Sequence, residues 1–137
     1  MNFVLTLPEQ HPLNSKRSIY LCDTANETFI MTPKSIGALY YETFMRIFKK
    51  GGFTPIITIQ AHNLQAVLAL VAAGMGVTLT PSSINSTNGI IRRRIEDVNL
   101  TINGLLAWRK DNKSKILDEF LAFFFEFYQD EIDIIKN

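Results

Sequence analysis

From Gly51 to Ile91 the chain carries no Asp, Glu, Lys or Arg. A stretch of that length without charge is either buried in a membrane or enclosed by the rest of a fold. Gly52, Pro55, Asn63, Gln65, Gly74 and Gly76 cut it into apolar pieces far shorter than the ~20 residues a spanning helix needs. A buried strand–helix–strand core remains, because parallel strands covered on both faces read as near-continuous apolar runs. Leu64, Val67, Leu68, Val71 and Ala72 recur at the spacing of one helical face. Gly74 stands where a left-handed C-terminal cap is needed, and Val77 and Leu79 then alternate with Thr78 and Thr80 in the period of a strand. Helix into strand across a short glycine loop is an α/β element.

The totals add boundaries. A chain of 137 residues is long enough to bury a real core. Its 14 basic and 13 acidic residues give no push toward nucleic acid or an anionic membrane. The single cysteine, Cys22, excludes an internal disulfide and a multi-cysteine zinc site, which suits a reducing cytoplasm. Met1 leads straight into Phe3, Val4 and Leu5, with no signal-sequence pattern.

Outside the central stretch, Phe3, Leu5 and Leu7 alternate with Val4 and Thr6, so a strand is expected up to Pro8. Residues 9–18 read as a loop, residues 20–25 as a short helical turn, and Phe29 to Met31 as a strand ending at Thr32-Pro33. Ser35 is expected to cap a helix whose apolar stripe is Tyr40, Phe44, Ile47 and Phe48, with Lys49 and Lys50 at its negative end and Gly51-Gly52 closing it. Ile56 to Ile59 reads as a strand and Asn63 as the cap of the central helix. Pro81 to Ile84 reads as a short turn of helix, and Ile90 to Ile95 and Leu100 to Trp108 as strands. Ser114 can cap a last helix running to Tyr128. Nine apolar residues between Ile116 and Tyr128 cover about half its circumference, wider than the ~100° stripe of an ordinary surface helix. Such a face is either deeply buried in this domain or partnered by something outside the chain, and the latter is the preferred reading.

A search for chemistry finds no catalytic set. His11 reads as a solvated loop residue, and His62 lies between a strand and a helix start, a place where α/β proteins bind ligands. Cys22 reads as a small core residue. No helix opens on a P-loop or a G-x-G-x-x-G run. Arg92-Arg93-Arg94 reads as a solvated strand edge, since DNA contact needs a broader positive face. What remains are three strand-to-helix joints: Thr32 to Ser35, Ala61 to Asn63, and Thr80 to Ser83. In a parallel sheet all three gather at the carboxyl edge, where backbone N–H groups, hydroxyls and helix dipoles favour a small anion such as a carboxylate.

Taken in order, these segments resemble the effector-binding domain of LysR-type transcriptional regulators. The resemblance is carried by residues 5–13 (LTLPEQHPL), 26–33 (NETFIMTP), 48–55 (FKKGGFTP), 64–81 and 106–110 (LAWRK), of which 64–81 is the most specific. It implies an α/β, periplasmic-binding-protein-like (type 2) lobe with a mixed, mostly parallel sheet flanked by helices. It also implies effector contacts at Thr32, Pro33, Lys34, Ser35, Gly37, Ala38 and Tyr40, supported by Ala61, His62 and Asn63, with Thr80 at the neighbouring joint. Relatives sensing aromatic acids carry a proline and an aromatic near Ala38 and Tyr40; the aromatic is kept here and the proline is not.

The resemblance divides the chain into a hinge strand (1–8), a second lobe (9–108) and a closing segment with terminal helix (109–137) that packs on a first lobe not represented in this sequence. It implies a regulatory protein, not an enzyme, with no cofactor and no metal. A small-molecule effector and a homo-oligomer formed by side-by-side lobe packing are the expected partners. DNA is expected to be reached only through an N-terminal winged helix-turn-helix absent here, and no membrane is involved. Two other readings stand beside it: an interaction protein that pairs with full-length relatives, and a free-standing small-molecule binder.

Overall fold

The charge-free stretch folds as strand, helix and strand, with a second helical crossover before it. The computed structural model describes residues 2–85, 87–101 and 106–127. They divide into two compact units, Met1–Asn103 and Gly104–Asn137. The first holds β1 (Phe3–Pro8), β2 (Thr28–Met31), α1 (Ala38–Gly51), β3 (Ile56–Gln60), α2 (Leu64–Ala72), β4 (Thr78–Pro81) and β5 (Ile90–Arg94); the second holds α3 (Lys115–Phe127).

β1 lies between β4 and β5 and runs antiparallel to both, with Leu5 opposite Leu79 on one side and Arg93 on the other. β2 and β3 pair in parallel. The two ladders meet where Phe29 pairs in parallel with Val77. There the Ile30 N–H donates to the Val77 carbonyl and the Val77 N–H to the Thr28 carbonyl, each at 2.9 Å. Across this bridge β2, β3, β4 and β5 point one way and β1 the other. Gly76 is required at the joint, because a Cβ there would sit 2.5 Å from the Thr28 carbonyl oxygen and 3.1 Å from Ile30 Cγ1.

The pleat sends alternate strand residues to opposite faces, and each face is covered by one helix. Phe3, Leu5, Leu7, Phe29, Met31, Val77 and Leu79 pack with Phe44, Ile47 and Phe48 of α1. Ile30, Ala61 and Ile90 pack with Val67, Leu68 and Val71 of α2. The Phe29 ring stands edge-on to Phe44 and Phe48, with centroids 5.7 Å and 4.7 Å away. β3 serves both faces through a bulge: Phe29 pairs with Ile57 and Ile30 with Ile59, which skips Thr58 and turns Ile57 toward α1 and Ile59 toward α2.

Local signals hold at several ends. Asn63 Oδ1 accepts the Ala66 N–H at 2.8 Å, Gly52 (φ 79°) closes α1, and Gly74 (φ 78°) follows α2. Other expectations are corrected. α1 begins at Ala38 with Gly37 in the cap position, not at Ser35, because the Pro33 carbonyl takes the N–H groups of both Ile36 (3.0 Å) and Gly37 (3.3 Å) and closes a turn first. Pro81 belongs to β4, and Ser82 to Ile84 form a turn instead of a helix, with the Ser82 N–H bound to the Asn2 carbonyl at 2.8 Å. Of the strand expected at Leu100 to Trp108, Thr101 makes one bridge to Asn2, 106–108 lie in no strand, and 102–105 are outside the described residues, as is Tyr128.

The arginine run lies on an edge strand, β5, and two of its three side chains are tied down there. Arg93 donates to the carbonyls of Asn14 and Lys16, both at 2.6 Å, and Arg92 donates to those of Ser82 and Ile84. His11 is half-buried, its Nδ1 accepting the Leu13 N–H and its Nε2 lying 3.1 Å from Glu27 Oε2. Cys22 is exposed, since Leu21 and Thr24 take the inward positions of its one-turn helix. None of the residues of α3 is buried. No helix among the described residues is long and apolar enough to cross a membrane.

The joint at Gly76 generates a comparison. Gly76→Ala should lower unfolding stability by about 2–3 kcal/mol, since backbone and a packed isoleucine must move. Gly74→Ala, which meets open space and bears only the left-handed φ, should cost nearer ~1 kcal/mol. Urea midpoints for the two variants check the order.

Candidate functional site

β2, β3 and β4 are neighbours running the same way, so the chain leaves all three at one edge of the sheet. Residues 32–37 lead from β2 into α1, and 61–63 lead from β3 into α2. Both helices therefore present their N-termini, the positive ends of their dipoles, at this edge. Thr80 and Pro81 bring β4 to the same level. The three joints picked out in the sequence are thus brought together.

Their side chains differ in what they have left to offer. Lys34, Ser35, Ala38, His62 and Asn63 are exposed; Thr32, Pro33 and Gly37 are half-buried. Gly37 gives α1 no side-chain cap, which leaves its first-turn N–H groups for solvent or a ligand. Asn63 uses Oδ1 on α2, so its amide nitrogen is the group that can reach outward. Lys34 Nζ sits 3.0 Å from Glu42 Oε1, with both side chains about 60% exposed (61% and 58%), a pair that water largely screens. No other acid lies among the residues of the three joints.

The remaining candidates are turned inward. Ala61 is buried, its N–H donating to the Met31 carbonyl at 3.0 Å. Thr80 is buried and its hydroxyl lies 2.8 Å from that of Thr6, which ties β4 to β1. Tyr40 donates its phenol to the Leu79 carbonyl and sets its ring 6.0 Å from that of Phe3. Pairing between β2 and β4 is confined to the Phe29–Val77 bridge, so Leu79 has no ladder partner on that side and the phenol takes the place of one. Burial pushes the Tyr40 phenol well above its ordinary value of 10.0, and the nearby Thr78 hydroxyl offsets this only in part. Among the described residues no group of His, Cys, Asp and Glu is arranged to hold a metal ion.

A sequence model described as the LysR substrate binding domain matches residues 1–129. The chain belongs to that family. It is 35% identical over 120 residues to the HTH-type transcriptional regulator AlsR of Bacillus subtilis (strain 168), an alignment covering 86% of this chain and 40% of AlsR. The chain thus spans about two fifths of the length of that relative (40%). Among solved structures it is similar to the effector-binding domain of BenM with its effector benzoate (TM-score 0.68, 20% identity, 99% of this chain and 65% of that one). It is likewise similar to the effector-binding domain of QuiR in complex with shikimate (TM-score 0.67, 20% identity, 96% and 63%). At these identities the structural likeness establishes the fold. The relatives are transcriptional regulators, a regulatory class and not an enzymatic one.

Tyr40 supplies the test of this geometry. Tyr40→Phe leaves the Leu79 carbonyl without its donor and should cost about 1–3 kcal/mol. Because the phenol's value is raised on folding, its contribution is complete below pH 10 and is lost as the unfolded chain begins to ionise above it. Denaturant midpoints of wild type and Tyr40→Phe should therefore converge as pH rises past 10, and a constant gap would contradict the assignment.

Proposed function

We propose that this chain is the second lobe of the effector-sensing domain of a LysR-type transcriptional regulator, and that the shared carboxyl edge of β2, β3 and β4 holds a small anionic, carboxylate-bearing effector. One observation supports the reading: α1 and α2 each open directly after the parallel strands β2 and β3, so their N-termini lie at one edge of the sheet. Thr32, Pro33, Lys34, Ser35, Gly37, Ala38, His62 and Asn63 are the direct contacts. Tyr40, Ala61 and Thr80 shape the floor beneath them. That BenM and QuiR domains take benzoate and shikimate supports a carboxylate as the ligand class.

The regulator works in the cytoplasm as a homo-oligomer built by side-by-side lobe packing. In this reading residues 1–8 are the hinge strand, 9–108 the second lobe, and 109–137 a closing segment whose helix packs on a first lobe. DNA is read by the winged helix-turn-helix in the part of the relatives this chain does not match. The 137 residues alone should show no salt-sensitive, sequence-specific affinity for duplex DNA in fluorescence anisotropy.

Thermal unfolding with benzoate, shikimate and benzamide tests the ligand class. A carboxylate at ~100 times its Kd should stabilise the native state by about 2.7 kcal/mol and raise Tm by several degrees, while the neutral amide does not. His62→Ala and Lys34→Ala should reduce the rise. Equal shifts from acid and amide, or none from a panel of aromatic and alicyclic acids, would refute the site.

A second reading has its own observation. Ile116, Phe120 and Phe123 of α3 are 78%, 48% and 65% exposed, at the spacing of an association stripe. This favours a protein that pairs with full-length relatives. Light scattering of the chain mixed with such a relative should then show a complex, and its absence would remove this reading.

A further inference from the structure

We propose that Tyr40 is a positioning residue of the anion edge: its phenol, tied to β4, holds the first turn of α1 in the geometry a ligand meets, while its ring and phenol touch no ligand themselves. The proposal rests on the effector-site reading above and concerns a difference between the two helix starts. α2 is fixed at its own end, because Asn63 caps it. α1 opens at Gly37 with no side-chain cap and no acid in its first turn. Ile36 and Leu39 are 51% and 72% exposed and Ala38 is exposed too, so these three do not anchor the turn. Tyr40, in that same turn, reaches the sheet. Its phenol donates to the Leu79 carbonyl of β4, and its ring lies 6.0 Å from that of Phe3 on β1 and 6.3 Å from that of Phe44.

The tie does what a cap cannot. A side-chain cap steadies a helix start by accepting an N–H of its first turn, and so uses up a donor that a carboxylate needs. The phenol steadies the turn from the far side and leaves those donors unspent. Its acceptor is backbone, on a strand held in the ladder with β1, where Leu79 stands opposite Leu5. No side-chain rotation can shift that anchor point. Donors held in place before a ligand arrives bind it more tightly than donors ordered on arrival, because the cost of ordering is subtracted from affinity. The Tyr41 N–H, which donates to the Gly37 carbonyl at 2.9 Å, closes the turn and reports on its opening. The Val67 N–H, bound to the Asn63 carbonyl at 3.1 Å, is the matching reporter at the start of α2.

Amide hydrogen exchange and benzoate titration of the 15N-labelled 137-residue chain, both well below Tm, read the result. Tyr40→Phe keeps the ring and removes the donor. Exchange at Tyr41 should quicken about tenfold while Val67 stays within about twofold of wild type, which also shows the lobe intact. The Kd for benzoate should rise about five- to tenfold. Thr6→Val is the control: it breaks the Thr6–Thr80 tie between β1 and β4, away from α1. It too should lower stability, yet leave Tyr41 exchange and the Kd within about twofold of wild type. An unchanged Kd in Tyr40→Phe, with or without faster exchange, would overturn the proposal and leave the effector site standing. An equal rise in Kd in Thr6→Val would overturn it as well, since lost stability would then account for the effect. A wild type that binds neither benzoate nor shikimate would remove the effector site and this role with it.

Discussion

Two backbone hydrogen bonds at Val77 hold the lobe in register. One takes the Ile30 N–H and the other gives to the Thr28 carbonyl, and between them they join a three-stranded antiparallel ladder to a two-stranded parallel one. That bridge sets the backbone register of β2 and β3 against β4. With it, three strands running the same way end side by side, and the helices that follow two of them open at one edge. Gly76 permits the approach, because any side chain there would meet the Thr28 carbonyl. The requirement is steric and lies in the backbone, so repacking of neighbouring side chains cannot relieve it.

The chemistry of the edge follows from what the fold has already used. Tyr40, Thr80 and Asn63 Oδ1 are engaged in holding α1, β4 and α2 in place. What stays available is mostly backbone: the first-turn N–H groups of α1, beside Ser35, His62 and the amide nitrogen of Asn63. On the proposed reading a ligand there would be held by fixed dipoles more than by formal charge, and fixed N–H donors suit a carboxylate.

Much of this was readable in the sequence where the rule is local. The alternation of Phe3, Leu5 and Leu7, the stripe through Phe44, Ile47 and Phe48, the Asn63 cap and the glycine stops all depend on neighbours within a few residues, and the structure has each of them. The features the sequence does not show depend on distant partners. The Thr6–Thr80 contact joins residues 74 apart, and the Tyr40–Leu79 bond joins residues 39 apart. Arg92 and Arg93 look like a solvated edge until the carbonyls of two loops are brought to them. The late start of α1 had a weak local signal in Pro33, whose carbonyl closes the preceding turn. The bulge at Thr58 had none, since Ile57 and Ile59 read as one face of a regular strand.

The central claim is that the joined strand ends make one anion site. Backbone amide chemical shifts of the 15N-labelled chain during benzoate titration test it most directly. The account predicts that the largest changes fall on the amides of Gly37 to Tyr40 and of His62 to Ala66, saturating together with a single Kd. Binding whose shifts lie along the C-terminal half of α1, or that leave the first turn of α1 unmoved, would contradict it.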